Sequence, residues 1–145
     1  MGQGQVTSVL LLVATMFLWG TAPLVEKLGL QGADPLTGLL IRSTSVTIAL
    51  LVVFLLSGRM PQLVTVPAKS VLFFASSGLL AGLMVTWTYY AVLKSGTLSQ
   101  VVPIAAAFPL VTTVAAVVVL KEHVTPLRLA GTCLIVLGIA LVKRG

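Results

Sequence analysis

Charged side chains are scarce in this sequence. Nine Lys or Arg and three Asp or Glu stand among 145 residues, of which 58% are hydrophobic. A soluble domain carries about 25% charged residues, so this chain cannot cover itself with a water-facing surface. The mean hydropathy of +1.14 agrees. These values predict an integral membrane protein.

Residues for enzymatic and metal chemistry are equally scarce. One His, one Cys and three acids provide no metal-ligand spacing, nucleophile triad or phosphate-binding glycine loop. We therefore expect no enzymatic activity, no metal site and no cofactor. The single cysteine, Cys133, cannot form an intrachain disulfide.

The net charge of +6 would suggest nucleic-acid binding in a soluble protein. Here the cations lie at the ends of apolar runs, where Lys and Arg anchor helices at the membrane interface. The expected partner of these charges is the lipid bilayer, and no nucleic acid is expected.

Five apolar runs approach or exceed the roughly 20 helical residues that cross a bilayer. They are too long for barrel strands and lack alternating polarity. We therefore expect an all-α membrane protein whose single domain spans residues 1–145. The predicted transmembrane helices are 6–25, 35–57, 70–93, 98–120 and 126–142. Pro61 and Pro67 predict that the connection after the second span is not helical.

Glycine spacing indicates where helices could approach closely. Gly78 and Gly82 form a GxxxG pair in the third span, and Gly131 and Gly138 lie two turns apart in the fifth. Small residues of this kind allow helices to pack in lipid. Packing within the bundle and a dimer face are both compatible with the pattern.

The basic residues hardly favour one membrane orientation. Cytoplasmic loops normally carry the excess of Lys and Arg, but here each side has four, or one side has five if Arg42 reaches back to its helix start. One side carries Arg59, Lys69, Lys121 and Arg128, and the other Lys27, Lys94, Lys143 and Arg144. Either the chain inserts both ways, or one charge near the N-terminus dominates. Insertion both ways would allow an antiparallel homodimer, with the inverted repeats that many secondary transporters use.

Short motifs follow one another in order along nearly the whole chain. They are Trp19-Gly20, KLGL at 27–30, Asp34-Pro35, Arg42, YAVLK at 90–94, Pro109, and LKEHVTPLRLAGTCLIVLGIALV at 120–142. This ordered set resembles the EamA domain of the drug/metabolite transporter superfamily. The resemblance implies five helices per repeat, usually two oppositely oriented repeats per chain, and export of small metabolites, amino acids or drugs. This chain departs from that pattern by having one repeat.

The chain also resembles, more distantly, the four-helix small multidrug resistance proteins. Those carry a glutamate in the middle of the first helix, whereas residues 11–20 here read LLVATMFLWG. Antiport of cationic drugs by that mechanism is therefore not expected. The sequence has no ATP-binding motif, so uphill transport would draw on an ion or substrate gradient.

Two ionisable residues in or beside the spans are candidates for transport chemistry. Arg42 lies about 10 Å into the second span. It is either an interfacial anchor and ion-pair partner of Glu26 or Asp34, or a cavity residue that binds an anionic or polar substrate group. Glu26, at the end of the first span, is either a partner of Lys27 or Arg42 or a proton-coupling carboxylate.

Aromatic and proline residues complete the candidate site. Three aromatic residues lie near span ends: Trp19, Trp87 and Tyr90. They either form an interfacial belt or line a cavity for small amphipathic solutes. We predict that these three side chains contact the substrate. Pro103 and Pro109 interrupt the fourth span, and both static kinks and gating hinges fit them.

These features favour a secondary transporter that exports a small organic metabolite or drug by alternating access. The expected form is an antiparallel homodimer in the plasma (inner) membrane. One alternative is an accessory membrane subunit that requires a second homologous repeat as its partner. Another is a flippase for lipids or lipid-linked sugars. A groove open to lipid between helices would favour the flippase, and a closed polar cavity would favour solute export.

Overall fold

The computed structural model describes residues 3–144, with side chains from residue 5 onward. Within that range the chain is helical, without strands, and five helical segments are long and apolar enough to cross a membrane. The α-helices are α1 Gln3–Gly29, α2 Pro35–Leu56, α3 Met60–Val64, α4 Ala68–Ser77, α5 Thr86–Ser95, α6 Leu98–Ala105, α7 Phe108–Leu120 and α8 Pro126–Arg144. The predicted fold class is confirmed.

The first span continues past its predicted end. The sequence prediction stopped at residue 25, before the first charged residues, but α1 continues to Gly29. Glu26 and Lys27 are therefore helical. The backbone then turns through Gln31 and Gly32, whose N–H groups donate to the carbonyls of Leu28 and Gly29 at 3.2 Å each.

The second span begins at a capped N-terminus. The carboxylate of Asp34 accepts hydrogen bonds from the backbone N–H groups of Leu36 at 3.0 Å and Thr37 at 3.1 Å, and Pro35 occupies the first turn. Both features favour a helix start at this point. Hydrogen bonds with the side chain and backbone of Thr37, and then with the backbone of Leu36, lower the pKa of Asp34.

The connection after α2 contains a short helix that the sequence prediction missed. Gly58, the second residue after α2, has φ +66°, and the N–H of Arg59 donates to the carbonyl of Phe54 at 3.1 Å, as in a Schellman cap. Residues Met60–Val64 then form α3. The non-helical prediction was wrong because Pro61 lies in the first turn, where its missing N–H breaks no helical hydrogen bond.

The third span is one apolar stretch, Ala68–Ser95, with a change of helix type in its middle. Residues Gly78–Val85 form a π-helix between α4 and α5. The hydroxyl of Thr86 donates to the carbonyl of Ala81, five residues earlier, at 2.8 Å. π-Helices are rare and appear mostly as single-turn bulges within α-helices, frequently at functional sites.

The fourth span is interrupted between its two prolines. Helix α6 ends at Ala105, and α7 begins at Phe108 with Pro109 in its first turn. Pro109 cannot donate a hydrogen bond, and its ring would clash with the carbonyl four residues earlier, which belongs to Ala105. The observed break is therefore where Pro109 requires it.

The chain forms two compact units, Met1–Ser95 and Gly96–Gly145. In the first unit, α5 packs against α2 and α1; in the second, α8 packs against α6 and α7. Most apolar side chains are exposed, as expected where lipid covers a helical protein. The buried hydrophobic residues are Leu30, Leu39, Tyr90 and Leu93 in the first unit and Val101 in the second.

Candidate functional site

Three side chains from three different spans meet at one end of the first unit. Glu26 of α1 lies between Arg42 of α2 and Tyr90 of α5. The Tyr90 hydroxyl donates to Glu26 Oε1 at 3.0 Å, and Arg42 Nε lies 3.5 Å from the same oxygen. We call Glu26, Arg42 and Tyr90 the polar cluster.

Close helix packing places these groups together. A Cβ atom at Gly38 would lie 3.5 Å from Leu30 Cδ2 and 3.7 Å from Tyr90 Cε2, at ordinary van der Waals contact. Helix α2 therefore packs close to the Tyr90 ring, and a side chain larger than a methyl group would overfill this contact. The cap at Asp34 fixes where α2 starts, and thereby how far along the helix axis Arg42 lies from that start. The packing thus explains why Arg42 reaches Glu26.

The two charges of the cluster differ in exposure. The Glu26 side chain is 17% exposed, whereas the Arg42 side chain is 48% exposed. A guanidinium has five N–H donors, so Arg42 can hold Glu26 through Nε and still offer donors to a ligand. An anionic or polar group would approach from the exposed side of Arg42.

Two lysines hold the same end together through backbone carbonyls, a role that the sequence did not indicate for either of them. Lys27 Nζ donates to the carbonyls of Leu93 at 2.6 Å and Lys94 at 3.0 Å. Lys94 Nζ donates to the carbonyl of Ala33 at 2.9 Å. The last carbonyls of a helix lack intrahelical partners and carry partial negative charge. A lysine close to the end of a span could therefore have been expected to bind such carbonyls.

The predicted aromatic residues differ in their surroundings. Tyr90 is buried, with 3% exposure, and its hydroxyl donates a hydrogen bond to Glu26. Direct contact between Tyr90 and a substrate would therefore require the packing to change. Trp19 and Trp87 are 70% and 50% exposed. By helical register Trp19 shares a face of α1 with Glu26, and Trp87 shares a face of α5 with Tyr90. Substrate contact by these three residues stays a prediction.

The predicted packing glycines face open space within this chain. A Cβ atom would meet nothing within 4 Å at Gly78, Gly82, Gly131 or Gly138. Their use against a second chain stays a prediction, as does gating at Pro103 and Pro109.

The second unit contains a groove of about 490 Å³ along α7 and the start of α8. We call it the α7–α8 groove. Its walls are mostly valine and leucine, and two polar side chains of the connection between the helices lie at one end. The lining residues are Thr113, Val114, Val117, Val118, Glu122, His123, Val124 and Leu129.

Five helical spans with an ion pair between two of them define a multi-pass α-helical membrane protein with a candidate solute or ion site. The family model of the EamA-like transporter family matches residues 6–144, and the chain belongs to this family. The resemblance seen in the motifs is thereby confirmed. The family places the chain in the drug/metabolite transporter superfamily. Searches of curated proteins and of solved structures each found no match.

Proposed function

We propose that this chain is a secondary transporter that exports a small organic solute by alternating access, with Arg42 as a substrate contact. The observation that carries the proposal is the polar cluster. Ionisable groups in membrane spans are costly and tend to mark substrate or ion pathways. Arg42 is half-exposed, and its planar guanidinium with several N–H donors suits recognition of an anionic or polar group.

The faces that continue from the cluster into the spans suit a small amphipathic solute. Moving away from the clustered end, Ser45 lies three residues beyond Arg42, Trp87 three residues before Tyr90, and Trp19 seven residues before Glu26. These spacings keep each residue on the face of its own helix that carries the cluster. Aromatic and hydroxyl groups together resemble the lining of a small-molecule cavity.

Glu26 is the proposed coupling residue. It is the acid of the polar cluster, and its Oε1 atom faces both Arg42 and Tyr90. Protonation of this carboxyl group would weaken its attraction to Arg42 and free the guanidinium for substrate. A proton gradient could therefore be coupled to solute movement at this ion pair.

The lysine contacts support a gate at the same end. Lys27 and Lys94 join the end of α5 to α1 and to the connection that follows α1. In a transporter with alternating access, one end of the pathway must open while the other closes. We assign the lysine-held arrangement to the closed form of this end.

A second copy of opposite orientation completes the proposed transporter. The near-equal distribution of Lys and Arg between the two sides favours insertion both ways, and inverted repeats recur in secondary transporters. The proposed location is the plasma (inner) membrane.

The purified chain alone, reconstituted in liposomes, tests the proposal. A panel of small amphipathic acids and zwitterions is assayed for movement with and without an imposed pH gradient. We expect Arg42→Gln to abolish movement, and Arg42→Lys to weaken it because bidentate binding is lost. Glu26→Gln should remove the dependence on the gradient. Arg59→Gln, which changes a cation outside the polar cluster, is the matched control.

Wild-type activity in Arg42→Gln would overturn the assignment of Arg42. An inactive wild-type chain that gains activity with a second homologous repeat would instead identify an accessory subunit. The α7–α8 groove gives some support to the flippase alternative, because it is an apolar groove between helices. Movement of a fluorescent lipid in the same liposomes, without solute movement, would select that function.

A further inference from the structure

The walls of the α7–α8 groove have the chemistry of a lipid-binding surface. Val114, Val117 and Val118 of α7 and Leu129 of α8 line it and are largely exposed. Both helices belong to spans that can cross a membrane, so their exposed apolar side chains suit contact with hydrocarbon. An acyl chain therefore matches the walls of the groove.

The end of the groove carries an acid with no partner among the described side chains. Glu122 and His123 lie between α7 and α8, at the depth where lipid headgroups lie. The backbone N–H of Glu122 donates to the carbonyl of Ala116 at 3.1 Å. Within residues 5–144 the one ion pair joins Arg42 to Glu26, so the Glu122 carboxylate remains available.

The charge at this end distinguishes between headgroups. A carboxylate accepts hydrogen bonds and donates none, so it matches the three N–H donors of a primary ammonium. A quaternary ammonium has no such donor, and an anionic headgroup brings no cation to the carboxylate of Glu122. Lys121 precedes Glu122, and Arg128 lies in the first turn of α8. Both are suited to the phosphate of a zwitterionic lipid.

We propose that the α7–α8 groove binds an aminophospholipid of the surrounding bilayer. One acyl chain lies along the valine wall of α7, and the primary ammonium donates hydrogen bonds to the carboxylate of Glu122. The bound lipid is a resident of the protein and not its transported solute. The proposal stands independently of the transport function.

Lipid retention by the purified chain tests this site. The protein is equilibrated with equal amounts of phosphatidylethanolamine, phosphatidylcholine and phosphatidylglycerol that share the same acyl chains, then washed and analysed by mass spectrometry. We expect roughly tenfold enrichment of phosphatidylethanolamine over phosphatidylcholine, the scale of one charge-assisted hydrogen bond. Glu122→Gln should remove this preference while the chain still retains lipid.

Two further variants separate the groove from the general lipid surface. Val118→Trp should fill the groove and lower retention of all three lipids. Val119→Trp is the matched control, since Val119 is similarly exposed but does not line the groove. Equal retention of the ethanolamine and choline lipids, or an unchanged preference in Glu122→Gln, would overturn the proposal. So would a photo-crosslinker at position 118 that attaches to a second copy of the chain instead of labelled phosphatidylethanolamine.

Discussion

The two ends of the spans in the first unit are held together very differently. At one end, four side-chain hydrogen bonds and one ion pair connect α1, α2, α5 and the first connection. Toward the other end, residues 5–20 and 43–85 include no buried residue. There, the hydroxyls of Ser45, Thr47 and Ser76 donate to carbonyls of their own helices.

This difference indicates which end of the repeat is stabilised by contacts within one chain and which end needs lipid or another copy to cover it. The end with the polar cluster pairs Glu26 with groups of the same chain and buries apolar side chains. The opposite end presents apolar surface that lipid or another copy must cover. In the proposed antiparallel dimer, each side of the membrane would receive one end of each kind.

A matched pair of glycine substitutions should give the largest difference between the two ends. Gly38→Leu adds a side chain where Leu30 and Tyr90 already lie at contact distance. We expect a loss of about 1–3 kcal/mol in the free energy of unfolding, from overpacking. Gly82→Leu enters open space and should leave the unfolding of the isolated chain unchanged. Denaturant unfolding in detergent measures both, and equal losses would contradict the comparison.

A double-mutant cycle sharpens the role of the ion pair. Glu26→Gln and Arg42→Gln, singly and together, should show a coupling of about 1 kcal/mol, within the range of polar contacts between membrane helices. The same cycle with Glu26→Gln and Arg59→Gln should be additive, because Arg59 follows α2 at its far end. A coupling near zero for Glu26 and Arg42 would mean that the contact contributes nothing to stability.

A smaller effect is expected from removing one hydroxyl group. Tyr90→Phe deletes the hydrogen bond to Glu26 and keeps the packed ring. It should lower the free energy of unfolding by about 0.6 kcal/mol. Tyr89→Phe is the control, since its neighbouring ring lies 6.1 Å from that of Tyr90 and its hydroxyl makes no side-chain hydrogen bond within residues 5–144. Equal effects of the two changes would remove the special role of Tyr90.

The smallest effect concerns the helix cap and depends on pH. Because its folded-state pKa is lowered, Asp34 stabilises the fold fully above its unfolded pKa of about 3.9. That contribution is lost as the pH falls through the lower folded pKa. Asn also caps helices well, so Asp34→Asn should be slightly less stable than the wild type near pH 6, and the difference should shrink as the pH falls below the unfolded pKa and through the folded one. Thermal unfolding across this range measures the difference, and parallel profiles would contradict it.

The sequence predicted the spans better than the contacts between them. Apolar length and terminal charges located five helices, and Arg42 was among the residues expected to pair with Glu26. The lysine contacts were missed because Lys27 and Leu93 are far apart in the sequence. The spans are also apolar on most faces, so periodicity does not distinguish a protein-facing side from a lipid-facing side.

Two local features of the backbone, the short helix α3 and the π-helix, were not predicted, whereas the break in the fourth span was. Helix α3 formed despite Pro61, because a first-turn proline is tolerated. The π-helix at Gly78–Val85 looked like an ordinary GxxxG segment, since sequence spacing does not distinguish α from π hydrogen bonding. The break before Pro109 was predictable because the cause is local and steric.

Membrane orientation tests most directly whether one repeat supplies both halves of a transporter. Two reporters are fused in turn after Gly145, one active only in the cytoplasm and one active only outside it. The antiparallel homodimer predicts strong signals from both. A signal from only one reporter would show a fixed orientation, and the chain would then need a different partner of opposite orientation.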